Sequence, residues 1–160
     1  MNQLNFTQKA QESLALAFKL AQDYGNPEIS DLHLLKVLTM NADSLVYQVL
    51  QQLNVSIHEL QNQLDKAIDT LPTSQTIEEP SLSTVVTSVI KEAGNLAQKY
   101  YDQYISREHF FLALILTECQ SQAILKQFSI QFEKVEEAVM AIRGNQAITN
   151  DNPDAGYNVL

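Results

Sequence analysis

The side chains most able to do chemistry are two histidines in matched settings. His33 and His109 each stand three residues after a serine, in the segments ISDLH and ISREH. Such a pair could share a metal or supply a base, but neither has a second His, Cys or carboxylate at a ligand spacing that recurs in both segments. Glu108 adjoins His109, yet neighbours on a helix point about 100° apart. Both histidines therefore read as structural residues near a helix N-terminus, bonded to backbone groups, and His58 as a surface residue. The single cysteine, Cys119, rules out an internal disulfide and lies in an apolar helical run, where a small buried hydrophobe is expected and a nucleophile is not. Glu78-Glu79 falls in a linker and Glu136-Glu137 on a helix surface, as solvated charge. Four glycines at 25, 94, 144 and 156 build no phosphate loop, and neither G-x-S-x-G nor H-E-x-x-H occurs. These residues predict no catalytic site, no metal and no cofactor in this chain.

What positions the two histidines is a duplication. AQDYGNPEISDLHLLKVL, from Ala21, aligns without gaps on AQKYYDQYISREHFFLAL, from Ala97, at an offset of 76. Upstream, Phe6 and Thr7 match Leu82 and Ser83, Leu14 matches Ile90 and Ala17 matches Ala93. Downstream, VLQQLNVSIHELQNQL matches ILKQFSIQFEKVEEAV at an offset of 75. The copies span 6–70 and 82–144 within a domain of residues 1–145, with a linker at 71–81 (LPTSQTIEEPSL covers it), and 146–160 reads as the start of a flexible linker to a further domain.

Each copy reads as four helices. Thr7 is a good N-cap with Phe6 as a staple, and Ala10, Leu14, Ala17, Ala21 and Tyr24 recur at helical spacing up to Gly25. Ser30 caps a second helix bearing Leu34, Leu35 and Leu38; a third runs from about Ser44 to Leu53. Ser56 with Glu59 forms a capping box for a fourth carrying Leu60, Leu64, Ala67 and Ile68. The second copy repeats this from Ser83, Ser106, about Ser121 and about Gln131. No period-two alternation occurs, so the expected class is all-α, a tandem pseudo-duplicated pair of four-helix repeats packed as one domain.

The formal charge of −9 is shared by both halves and argues against nucleic-acid binding, which needs clustered Lys and Arg. No apolar run is long enough to span a membrane and the first ten residues do not resemble a signal peptide, so a cytoplasmic location is expected.

Where the copies differ, a binding surface can be sought. Val85 and Val89 replace Lys9 and Ser13, and with Leu96 they form one apolar stripe on the fifth helix. That stripe is either a seam between the repeats or an exposed groove for unfolded chain. KYYDQYIS adds Tyr101 and Tyr104, amphipathic residues suited to a contact surface, whereas Tyr100 matches Tyr24 and belongs to the core.

The AQ…IS…EH and AQ…I…LHL pattern of these two segments resembles the N-terminal domain of Clp-family ATPases over residues 1–145. The run RGNQAITNDNPDAGYNVL is similar to ClpB-type disaggregases in particular. The resemblance implies a substrate-recognition domain of a stress-response chaperone that weakly binds exposed apolar segments of unfolded or aggregated polypeptides and delivers them to an ATPase ring. It further implies an Hsp70-class co-chaperone, ATP and magnesium for the full-length protein, a homohexamer at full length and a monomer for this fragment. Thr7, Asp102 and Glu108 match family positions that matter for substrate handling, Asp102 and Glu108 as a polar rim beside the stripe. Two other readings stand beside this one: an adaptor-docking N-domain of a protease-coupled unfoldase of the ClpA/ClpC kind, and a freestanding helical interaction scaffold.

Overall fold

A computed structural model describes residues 5–76, 79–144 and 146–153. Among them the repeat appears as eight helices interrupted by four two-residue strands. The first copy contains β1 (Asn5–Phe6), α1 (Gln8–Asp23), β2 (Glu28–Ile29), α2 (Asp31–Leu38), α3 (Leu45–Gln52) and α4 (Ile57–Asp69). The second contains β3 (Ser81–Leu82), α5 (Thr84–Lys99), β4 (Tyr104–Ile105), α6 (Arg107–Leu116), α7 (Gln120–Gln127) and α8 (Phe132–Arg143).

The expected caps form. Thr7 Oγ1 accepts from Ala10 N at 3.1 Å and Ser83 Oγ from Val86 N at 3.1 Å. Ser44 Oγ accepts from Tyr47 N at 3.1 Å and Ser56 Oγ from Glu59 N at 3.4 Å. Each satisfies one of the donors that a helix start leaves unpaired. The last helix ends where Gly144 turns to φ +65°, a conformation that costs a glycine little. One cap departs from expectation. Helix α7 begins after Cys119, which makes no side-chain cap bond and is half-buried at the helix start, not within an apolar helical run.

The strands are the feature that periodicity could not show. β1 pairs in parallel with β4, and β2 with β3, so each copy's leading strand joins the turn of the other copy. Two equivalent bonds continue the exchange: Thr7 N donates to Ile105 O at 2.9 Å, and Ser83 N to Ile29 O at 3.2 Å. The repeats are thus interleaved and not merely adjacent. α2 and α6 pack on each other at the centre, α3 lies on α6 and α8, and α4 lies on α7. Both central helices are apolar nearly all round: only Lys36 of α2 escapes full burial, and α6 is buried from Arg107 to Leu114. Phe110, Phe111, Leu112 and Leu114 meet Leu32, Leu34, Leu35 and Leu38 in one core shared by both copies. Phe6 reaches it from β1, its ring centroid 5.9 Å from that of Phe110.

The linker at 71–81 is tied to the turn of the first copy. Asn26 Nδ2 donates to Pro72 O at 2.9 Å, Ser74 N donates to Gly25 O at 3.0 Å, and Ser81–Leu82 joins β2. Residues 146–153 likewise lie against the domain, with Ile148 and Pro153 buried, so within this stretch the chain does not leave as a free linker. The rest of that expected linker, 154–160, lies outside the described residues.

Candidate functional site

The matched histidines are the hubs of two turn sites. In the first copy the Ser30 backbone N–H donates to His33 Nδ1 at 2.9 Å, and in the second Ser106 N–H donates to His109 Nδ1 at 2.8 Å. A ring nitrogen that accepts carries no proton, so each imidazole is the Nε2–H tautomer. That second N–H points at Asn26 Oδ1, 2.8 Å away, in one copy and at Asp102 Oδ2, 2.7 Å away, in the other. The serine–histidine box thus closes a helix N-terminus with a histidine in the place usually taken by Glu or Gln. Burial lowers the His33 pKa to about 4 despite the opposing charge of Asp31, so this imidazole is neutral at neutral pH. Among the described residues no group of three or more His, Cys, Asp or Glu could hold a metal ion.

The second turn carries charge where the first does not. Asp102 Oδ1 accepts from Arg143 Nη2 at 2.5 Å and from Ile148 N at 2.8 Å. Burial alone would raise its carboxyl, but hydrogen bonds from His109, Arg143 and Ile148 N–H outweigh that and hold it below the usual carboxylate range. Glu108 Oε2 lies 3.9 Å from Arg143 Nε. Tyr100 is half-buried and donates to Glu136 Oε2 at 2.5 Å, and burial together with this bond pushes its hydroxyl pKa up.

This geometry corrects several expectations. Asp102 and Glu108 are buried, 4% and 2% exposed, and form an internal ion network, not a solvent-facing rim. Thr7 is buried as a helix cap, leaving it no face for a client. Val89 and Leu96 are buried in the shared core and Val85 is half-buried against it, so the stripe is a seam. Tyr104 is half-buried in β4. Of the residues singled out, Tyr101 alone stands out in solvent, 86% exposed, with its backbone at φ +61°.

Apolar surface open to solvent lies elsewhere, between α1 and the end of α2. Leu16 and Met40 are 51% and 58% exposed. Together with Val37 they line two adjoining hollows of about 340 and about 180 Å³. Leu20 floors the smaller one, and Lys9, Glu12, Lys19 and Asp23 edge the pair. Those charges neutralise one another, Lys9 lying 3.7 Å from Glu12 and Lys19 3.8 Å from Asp23. Arg107, Ser13 and Asn41 also line the larger hollow, so the patch combines apolar surface with polar and charged edges of both signs. Sequence periodicity passed over it because Leu16 falls outside the inward set of Ala10, Leu14, Ala17 and Ala21. A signal was nonetheless present: the second copy has Glu92 at that position.

Residues 5–128 match the Clp repeat (R) N-terminal domain family. The chain belongs to that family. As a Clp repeat domain it is 29% identical over 160 residues to the chaperone protein ClpB of Porphyromonas gingivalis, and 30% over 164 residues to that of Bacillus anthracis. Each alignment covers all of this chain but only 18% and 19% of the relative, so the chain spans less than a fifth of their length. The fold is shared with the Hsp104 N-terminal domain from Candida albicans, at a TM-score of 0.83 and 20% identity over 94% of this chain and 99% of that one. It is shared too with the ClpV N-domain solved in complex with a VipB peptide, at a TM-score of 0.71 and 22% identity over 91% of each. No helix among the described residues is long and apolar enough to cross a membrane.

Proposed function

We propose that this Clp repeat domain is the client-recognition module of a ClpB-type disaggregase, binding exposed apolar segments of unfolded or aggregated polypeptides weakly and presenting them to the ATPase ring of the full-length protein. The observation that carries this reading is the hollow around Leu16, Val37 and Met40. It offers exposed apolar surface between two helices, edged by charged side chains of both signs. Burial of apolar surface is non-directional, so such a site tolerates many sequences and selects for exposure of hydrophobic side chains. Nothing at its edge selects for basic flanks. Tyr101 is a second contact in this reading: an exposed aromatic kept in a left-handed backbone conformation that tyrosine rarely adopts. A related fold has been solved with a peptide bound, the ClpV N-domain with VipB, which supports peptide capture as the mode of action. In the full-length protein, ATP, magnesium, a homohexameric ring and an Hsp70-class partner complete the cycle in the cytoplasm, and the domain itself acts as a monomer.

The test is a titration of a fluorescent aggregation-prone peptide against the wild-type domain, Leu16→Asp and Met40→Asp. Both positions are exposed, so the variants stay folded. Weaker binding by each supports the hollow; unchanged affinity in both would remove it.

A further inference from the structure

The two turn sites grip the chain that follows each repeat, and the chemistry of each grip matches its cargo. In the first copy the gripped residue is Pro72, which has no N–H, and Pro27 in the turn has none either. Asn26 supplies the missing donor through Nδ2, 2.9 Å from Pro72 O. In the second copy the gripped residue is Ile148, whose N–H needs an acceptor. There Asp102 accepts it at 2.8 Å, and Gln103 N–H donates to Ile148 O at 2.7 Å. Arg143 Nη2 bridges Asp102 to Gln146 O, 3.2 Å away. Further on, Asp151 O takes the N–H of Gln8, in the first turn of α1, at 2.8 Å.

The first grip holds the connection between the two repeats; the second holds the segment that follows the last helix. Between 146 and 153 just Ile148 and Pro153 are buried, and the other six residues are exposed. A few hydrogen bonds and two apolar side chains oppose the conformational entropy of ordering eight residues, which is the balance found in locally opening segments.

We propose that residues 146–153 form a releasable strap, latched by the Asp102 carboxylate, whose docking fixes where the chain leaves the domain. Docked, the strap ends beside the start of α1 and moves with the domain. Released, its eight residues become a tether with a contour of roughly 27 Å. The inference stands apart from the client-binding hollow and does not rest on it.

Amide hydrogen exchange of this 160-residue chain, with and without Ile148→Pro, tests the strap. That substitution removes the N–H given to Asp102 and the buried Ile148 side chain, and leaves the core helices unaltered. In the wild type, Gln8 and Gln103 exchange faster than the core amides of α2 and α6. In Ile148→Pro they speed up by at least on the order of tenfold, since a hydrogen bond to a charged acceptor and a buried side chain are lost together, while Ala10 and Val86 keep their rates. Gln8 and Gln103 exchanging no faster than the core in the wild type would overturn the proposal, because the strap would then open only with the whole fold. Unchanged exchange in Ile148→Pro would overturn it too, as would loss of the fold in that variant.

Discussion

Asn26 and Asp102 occupy the same turn position in the two repeats, and each accepts the Nε2–H of a histidine seven residues further on. The backbone geometry around them is common; the charge is not. A neutral amide suffices where the turn holds a proline carbonyl, whereas the second turn faces an N–H and a guanidinium and requires an anion. Duplication thus copied a scaffold whose polar centre was then fitted to two different neighbours. Asp102 and Glu108, expected to touch clients, are buried in this network, and changes there act first through the fold.

The neutral imidazole of His33 makes stability depend on acid. Its folded pKa, about 4, lies below the ordinary value of 6.5. Between those values the unfolded chain binds the proton and the folded one does not, so stability falls as pH drops from 6.5 to 4 and this contribution levels off below. The full effect is up to about 3 kcal/mol. Urea unfolding of wild type and His33→Gln at several pH values isolates it: the difference between the two should vary across that window and stay flat above it.

Tyr101 sits at φ +61° where the first copy has Gly25 at φ +72°. A tyrosine there carries strain, and its exposed ring recovers little through packing. Tyr101→Gly should therefore stabilise the domain by up to about 1 kcal/mol, the relief of strain less the added freedom of the unfolded chain. For a domain of this size that raises Tm by roughly 2–4 °C. If the ring is a client contact, the same variant binds the peptide more weakly while melting higher, a combination that loss of fold cannot produce.

Much of the architecture was legible because it is written locally. Thr7, Ser30, Ser44, Ser56, Ser83 and Ser106 each announced a helix start that the fold contains. The strands were not legible, since two residues cannot show a period of two. The binding surface failed for a specific reason. Val89 was set apart because its counterpart, Ser13, is polar, yet Ser13 is itself buried and satisfies its hydroxyl on Lys9 O at 3.0 Å. A serine bonded to its own helix backbone can occupy a core position, so the apolar difference between the copies marked no new surface.

Val89→Asp is consequently a test of folding and not of binding. The side chain is fully buried between the repeats, and a carboxylate there would have neither solvent nor a partner. The expected outcome is loss of cooperative thermal unfolding, whereas Val89→Ala remains folded and costs about 2 kcal/mol, read from its urea midpoint. Leu16→Asp, by contrast, should melt close to the wild type.

The cap of helix α7 comes from the other repeat. Cys119 makes no cap bond, and Asp31 Oδ2, at the start of α2, accepts from Ser121 N at 2.8 Å across 90 residues of sequence. No local reading could find that bond. Asp31→Ala removes a buried charged acceptor from a helix N-terminus and should cost about 2 kcal/mol, while Asp31→Asn, which keeps an oxygen, costs less. A second readout separates this cap from general loosening. Burial first, and Asp31 second, push the Cys119 thiol up to about 11. Removing the Asp31 charge should shift the midpoint of the pH–rate profile for Cys119 alkylation downward in Asp31→Asn, with the domain still folded. A faster reaction at every pH with an unmoved midpoint would instead mean that the thiol had merely become more accessible.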